Sequence, residues 1–81
     1  MDIKLWTMPV RFETGIGQYR IITSTEEASR FLLNQWPIEN GVAYDAARQA
    51  CLDAMEDKAA PDTARQAFIE ACNEAGMYVV Q

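Results

Sequence analysis

Two cysteines and a group of carboxylates are the side chains in this 81-residue sequence with the most reactive potential. A thiol becomes a nucleophile when a cationic neighbour or a helix N-terminus lowers its pKa. Cys51 and Cys72 both fall on apolar helical faces, which predicts small core hydrophobes instead. They lie twenty-one residues apart, and two are too few for a four-ligand zinc site without a dimer. Asp53, Glu56 and Asp57 cluster at the end of a predicted helix, with Asp45 before them. No loop has the ligand spacing of an EF-hand, so these carboxylates read as a solvated acidic face. Histidine is absent. That removes the commonest general base, the usual proton switch and the commonest metal ligand. Ser24, Ser29 and the threonines have no evident activating partner. Gly15-Ile16-Gly17 has neither the lysine nor the following helix of a phosphate loop. No catalytic residue, metal ligand or cofactor is assigned, and the chain reads as a non-enzyme.

Charge narrows the partners further. Seven basic and twelve acidic residues give a net charge of −5 and a pI near 4.5. The scattered cations cannot neutralise a run of phosphates, which argues against nucleic acid and an anionic membrane surface. No apolar run is long enough to span a bilayer, and Met1-Asp2-Ile3-Lys4-Leu5 has no signal-peptide pattern. Free thiols on core faces suit a reducing compartment, so a cytoplasmic location is expected.

Recognition by protein surfaces is the remaining chemistry. Tryptophan, tyrosine and arginine are favoured where interfaces concentrate their binding energy. Trp36, Tyr44 and Arg48 form one such set, with Tyr44 and Arg48 one helical turn apart. Leu52, among polar neighbours, and Ile69, about 100° off an inner helical face, are candidates for an exposed apolar pair. The candidate interaction surface is therefore Trp36, Tyr44, Arg48, Leu52 and Ile69.

The elements that must position these residues follow from periodicity. Residues 4–14 alternate, with Trp6, Met8, Val10 and Phe12 on one face, and predict a strand. Pro9 lacks a ladder donor and belongs at an edge or a bulge. The two glycines at 15 and 17 supply a hairpin turn, and residues 18–23 return. Either Tyr19/Ile21 or Arg20/Ile22 faces inward, with Ile22 favoured, because one slip in register exchanges the faces. Ser24-Thr25-Glu26-Glu27 is a capping box, in which the Glu27 side chain is expected to reach back to the Ser24 N–H. The first helix buries Ala28, Phe31, Leu32 and Trp36, pairs Glu26 with Arg30 in solvent, and stops at Pro37. Asn40-Gly41 turns into a second helix over 42–56, the expected central packing element. Its buried half is Ala43, Tyr44, Ala46, Ala47, Ala50, Cys51, Ala54 and Met55. Pro61 starts a third helix whose inner face is Ala64, Ala67, Phe68, Ala71, Cys72 and Ala75. Gly76 closes it, and Met77-Tyr78-Val79-Val80 returns to the sheet. Ala-Arg-Gln-Ala occurs at 47–50 and again at 64–67, which reflects common helix packing rather than a repeat.

The expected fold is one α+β domain over residues 1–81. An N-terminal hairpin, three helices and a short C-terminal strand place the helices on one face of a small sheet. At this length apolar burial and the entropy of ordering nearly offset, which favours a homodimer or a partner that covers further apolar surface.

Trp6 with Pro9-Val10, Arg20, Trp36-Pro37, Gly41 with Tyr44, the turn from Ala47 to Cys51, and Ala64-Arg65-Gln66-Ala67-Phe68 through Ala75-Gly76 carry a resemblance. In these the chain resembles the domain of unknown function 982 family of small bacterial proteins, over nearly its whole length. The resemblance implies no activity, cofactor or functional residue, since none is defined for the family. The family pattern favours Gly near position 57 and a stronger cap near 60. Asp57 and Ala60 here imply a less rigid corner.

These features leave a non-catalytic protein-interaction module, self-associating or bound to another protein, as the expected function. The alternative is a small-ligand sensor, or an unusual hydrolase, with a pocket between hairpin and helices using Arg20, Arg48 and nearby acids. A weaker third reading is an acidic mimic that occupies a basic site on a partner.

Overall fold

β1 (Leu5–Gly15) is the strand on which the sheet is built, because both other strands pair with it. A computed structural model of the chain describes residues 4–37 and 41–80. β2 (Gln18–Ser24) runs antiparallel to β1, and β3 (Val79–Val80) pairs antiparallel along its other edge, giving the order β2-β1-β3. Three helices, α1 (Thr25–Asn34), α2 (Val42–Met55) and α3 (Pro61–Glu74), lie between hairpin and final strand in the chain. This is the expected α+β arrangement.

The register decides which hairpin residues are inside. Val10 stands opposite Ile22 and Phe12 opposite Arg20, while Arg11 faces Ile21 and Glu13 faces Tyr19. Paired residues share a face, and Val10, Phe12 and Ile22 are fully buried. The inner pair is thus Arg20/Ile22. Arg20 lays its guanidinium over the Phe31 ring at 5.1 Å and donates to Gln35 Oε1 at 2.9 Å. The turn itself is Ile16-Gly17, and only Gly17 adopts a positive φ, +75°; Gly15 belongs to the strand.

Met8 departs from the expected alternation and is 62% exposed. The cause is a bulge: from Leu5 to Val10 β1 advances five residues while its partner moves only from Ser24 to Ile22. Pro9 sits within it, which lets a proline occupy the middle strand of a sheet. The Met8 carbonyl accepts from Arg65 Nε of α3 at 2.7 Å.

The start of β1 is clasped to the start of α1. Ser24 caps the helix by accepting from the Glu27 N–H at 3.2 Å. Glu27 reaches back one residue further than expected, to the Thr23 N–H at 2.7 Å. Glu26 accepts from the Lys4 backbone N–H at 3.0 Å, and among the described residues it forms no ion pair with Arg30. Thr25 donates its N–H to the Lys4 carbonyl and accepts from the buried Trp6 indole at 3.0 Å.

The core is aromatic, and α3 rather than α2 carries its centre. Phe68 lies 5.4 Å from Phe12, 5.8 Å from Trp6 and from Trp36, and 6.3 Å from Phe31, in tilted or edge-on geometries that suit ring quadrupoles. α2 packs chiefly on α3 and α1 instead of on the sheet. Small residues line the meeting of α2 and α3: Ala47, Cys51 and Ala54 against Ala64, Ala71 and Cys72, all buried. Ala46, expected inside, is exposed, because among the described residues α2 packs chiefly on α1 and α3 and its covered stripe is narrower than a half-turn. The Asn40 part of the Asn40-Gly41 turn lies outside the described residues.

Candidate functional site

α1 and α2 diverge enough to leave a groove of about 330 Å³ between them. Ser29 and Leu33 line one wall; Asp45, Arg48, Gln49, Leu52 and Met55 line the other. The spacing produces this. Ser29 and Leu33 are four apart on α1, and Asp45, Arg48/Gln49, Leu52 and Met55 recur every three or four residues on α2, so each set forms one stripe. Leu33 is 58% exposed and Leu52 45%. Water therefore covers apolar carbon that a partner side chain can cover better.

The aromatic neighbours are structural supports for this wall. Tyr44 is buried and donates its hydroxyl to the Leu32 carbonyl at 2.9 Å, tying α2 to α1. Trp36 stacks on Tyr44 at 5.8 Å and 28°, and sits edge-on to Phe31. Arg48 holds its guanidinium 5.7 Å from the Tyr44 ring centre, so its charge stays at the groove rim. Gln49 donates to Asp53 Oδ1 at 2.9 Å. Of the five residues singled out from sequence, Trp36, Tyr44 and Arg48 thus form one stack, and Leu52 shares the groove with Arg48.

Ile69 does not join them. It is only 5% exposed and lines a cleft of about 340 Å³ with Met8, Pro9, Val10, Arg65, Gln66, Val79 and Val80. The β1 bulge and β3 cover the flank of α3 that helical periodicity alone leaves open. Leu33 is the groove residue that the sequence reading missed. Its signal was available: it sits about 100° beyond Leu32, off the Ala28-Phe31-Leu32 stripe.

Arg20 lies on the hairpin side against Phe31 and Gln35, and no described cavity is lined by both Arg20 and Arg48. Cys51 and Cys72 are fully buried and free. Burial pushes the Cys51 thiol up to about 12, helped by the Glu26 carboxylate, and burial alone does the same to Cys72. Both are therefore held as neutral thiols near neutral pH, the form that is the weaker nucleophile. Among the described residues no three His, Cys, Asp or Glu side chains group as a metal site, and no helix is long and apolar enough to cross a membrane.

A family model described as a protein of unknown function (DUF982) matches residues 8–79. No curated protein and no solved structure matches the chain.

Proposed function

The chain belongs to the DUF982 family, and from that footing we propose that it is a non-catalytic protein-interaction module that associates with itself. The observation that carries this reading is the pattern of exposure. Leu33 and Leu52 stand in a rimmed groove, and Tyr19 and Ile21 stand on the sheet face that no helix covers. The thiols, in contrast, are sealed away from any substrate. Apolar surface gathered into patches is a mark of docking, whereas scattered single residues are not. A chain this short also gains proportionally more from covering such surface than a larger one does. The reading places the protein in the bacterial cytoplasm, which agrees with two reduced cysteines in its core.

Sedimentation equilibrium from low to high micromolar concentration tests this. A mass that rises toward twice the chain mass of 9.1 kDa is expected. A mass that stays at one chain throughout ends the self-association.

A further inference from the structure

The side of the sheet away from the helices carries an alternating set of side chains. Arg11 of β1 stands between Ile21 of β2 and Val80 of β3. Two residues along, Glu13 stands beside Tyr19, and its N–H donates to the Tyr78 carbonyl at 2.8 Å. Two parallel rows result, Ile21-Arg11-Val80 and Tyr19-Glu13-Tyr78. Tyr19 is 45% exposed, Ile21 54% and Tyr78 63%. The Arg11 guanidinium lies 4.8 Å from the Tyr19 ring centre, which keeps it on this face. Glu13 Oε2 accepts from the Gly17 N–H at 3.4 Å, a long contact.

We propose that a second copy of this chain docks here, sheet face on sheet face, with Arg11 of each protomer over Glu13 of the other. The proposal rests on the self-association reading above and names its surface. Charge selects the geometry. A two-fold axis between the sheets, perpendicular to β1 at the level of Phe12, turns one β1 antiparallel to the other. It then sets Arg11 over the partner copy's Glu13, and Ile21 over the partner copy's Tyr19. A two-fold axis along the strands sets Arg11 over Arg11 and is repulsive. Such a contact is isologous and closes at two copies. Packed sheets lie about 10 Å apart, a gap that an arginine and a glutamate reaching toward each other span.

Net charge argues for the same surface. The chain carries −5, and α2 presents Asp45 and Asp53 against its one cation Arg48, while Glu56 at its C-cap pairs with Lys58. Two such helix faces repel, whereas the open sheet face holds one charge of each sign. Its size fits a weak contact. Strands of eleven, seven and two residues, at about 3.3 Å per residue and about 4.8 Å apart, give a face of roughly 300 Å² a side. That total of about 600 Å² lies at the small end of transient contacts and suits weak affinity.

Sedimentation equilibrium of the full chain tests the pairing with charge reversals. Arg11→Glu and Glu13→Arg are each expected to weaken the dimer about tenfold or more, because each puts like charges in contact. The double variant R11E/E13R is expected to return to within about threefold of the original, a coupling that a generic surface effect does not produce. Tyr19→Ser, which leaves the charges intact, is expected to weaken it as well, and Glu70→Gln on the exposed side of α3 to leave it unchanged, while Leu52→Glu probes the helix groove. Circular dichroism of each variant establishes that the fold is kept. If Leu52→Glu dissolves the dimer while the Arg11 and Glu13 variants do not, or if the double variant fails to recover, the sheet-face pairing is wrong while self-association stands. If the original chain is a monomer at every concentration, both fall.

Discussion

At Cys51 and Cys72 a thiol sits where its charged form is disfavoured, and two outcomes follow. Ellman's reagent is expected to label neither thiol in the native protein and both in urea. Stability is also expected to depend on alkaline pH. The folded state holds both thiol protons up to about 12, whereas the unfolded chain releases them near 9. The native state therefore binds more protons above pH 9. This part of the stability is intact below that pH and is lost as pH climbs toward 12. Cys72→Ala is expected to flatten the decline, read from urea midpoints above pH 9. Trp6 gives a second residue-scale test. Its indole N–H has Thr25 Oγ1 as its acceptor. Thr25→Val keeps the shape, strands a buried donor, and is expected to cost about 1–3 kcal/mol in urea unfolding. Thr25→Ser keeps the acceptor and is expected to cost less.

Helix ends show how elements are closed here. α3 ends with Gly76 at φ +79°; its N–H donates to the Asn73 carbonyl and the Met77 N–H to that of Cys72. α2 ends the same way: the Asp57 N–H donates to Ala54 and the Lys58 N–H to Asp53. Both are Schellman motifs, but Asp57 holds the left-handed position at φ +62°. The Gly that the family pattern favours at this corner suits that conformation. An added Cβ at Gly76 meets no atom within 4 Å, so Gly76→Ala measures backbone strain alone, an expected loss of about 1 kcal/mol. Asp57→Gly is expected to gain less than that, since it also removes the exposed ion pair with Lys4. The opposite end of α2 has no side-chain cap of its own at Gly41. Glu74 of α3 supplies one, accepting from the Ala43 and Tyr44 N–H groups at 3.0 and 3.1 Å. Glu74→Ala is expected to lower stability by about 1 kcal/mol, measured by thermal unfolding. A Cβ at Gly41 falls 2.1 Å from Glu74 Oε1, so Gly41→Ala displaces the same cap and is expected to add little to Glu74→Ala. Ser24, Pro61 and Gly76 were legible as helix ends because their signals are local. The Glu74 cap was not, because donor and acceptor are thirty residues apart in the chain.

For the whole molecule, a self-associating chain is expected to unfold at a temperature that rises with protein concentration, since only the folded state binds its copy. Arg11→Glu is expected to remove that dependence. What the sequence determined by itself is the set of elements, their order and most of the core. Alternation, helical spacing, caps and glycines act over a few residues, and those interactions exist before any tertiary contact forms. It determined the sealed thiols as well, because a cysteine among alanines at helical spacing has one place to go. Tertiary structure decided which faces remain in water. A bulge of a few residues turned Met8 outward, and β3 with that bulge closed over Ile69. Packing of α2 chiefly on α1 and α3 left Ala46 bare, and the hairpin register put Tyr19 and Ile21 outside. Each of these outcomes depends on what lies opposite a residue, and neighbours distant in the chain supply that.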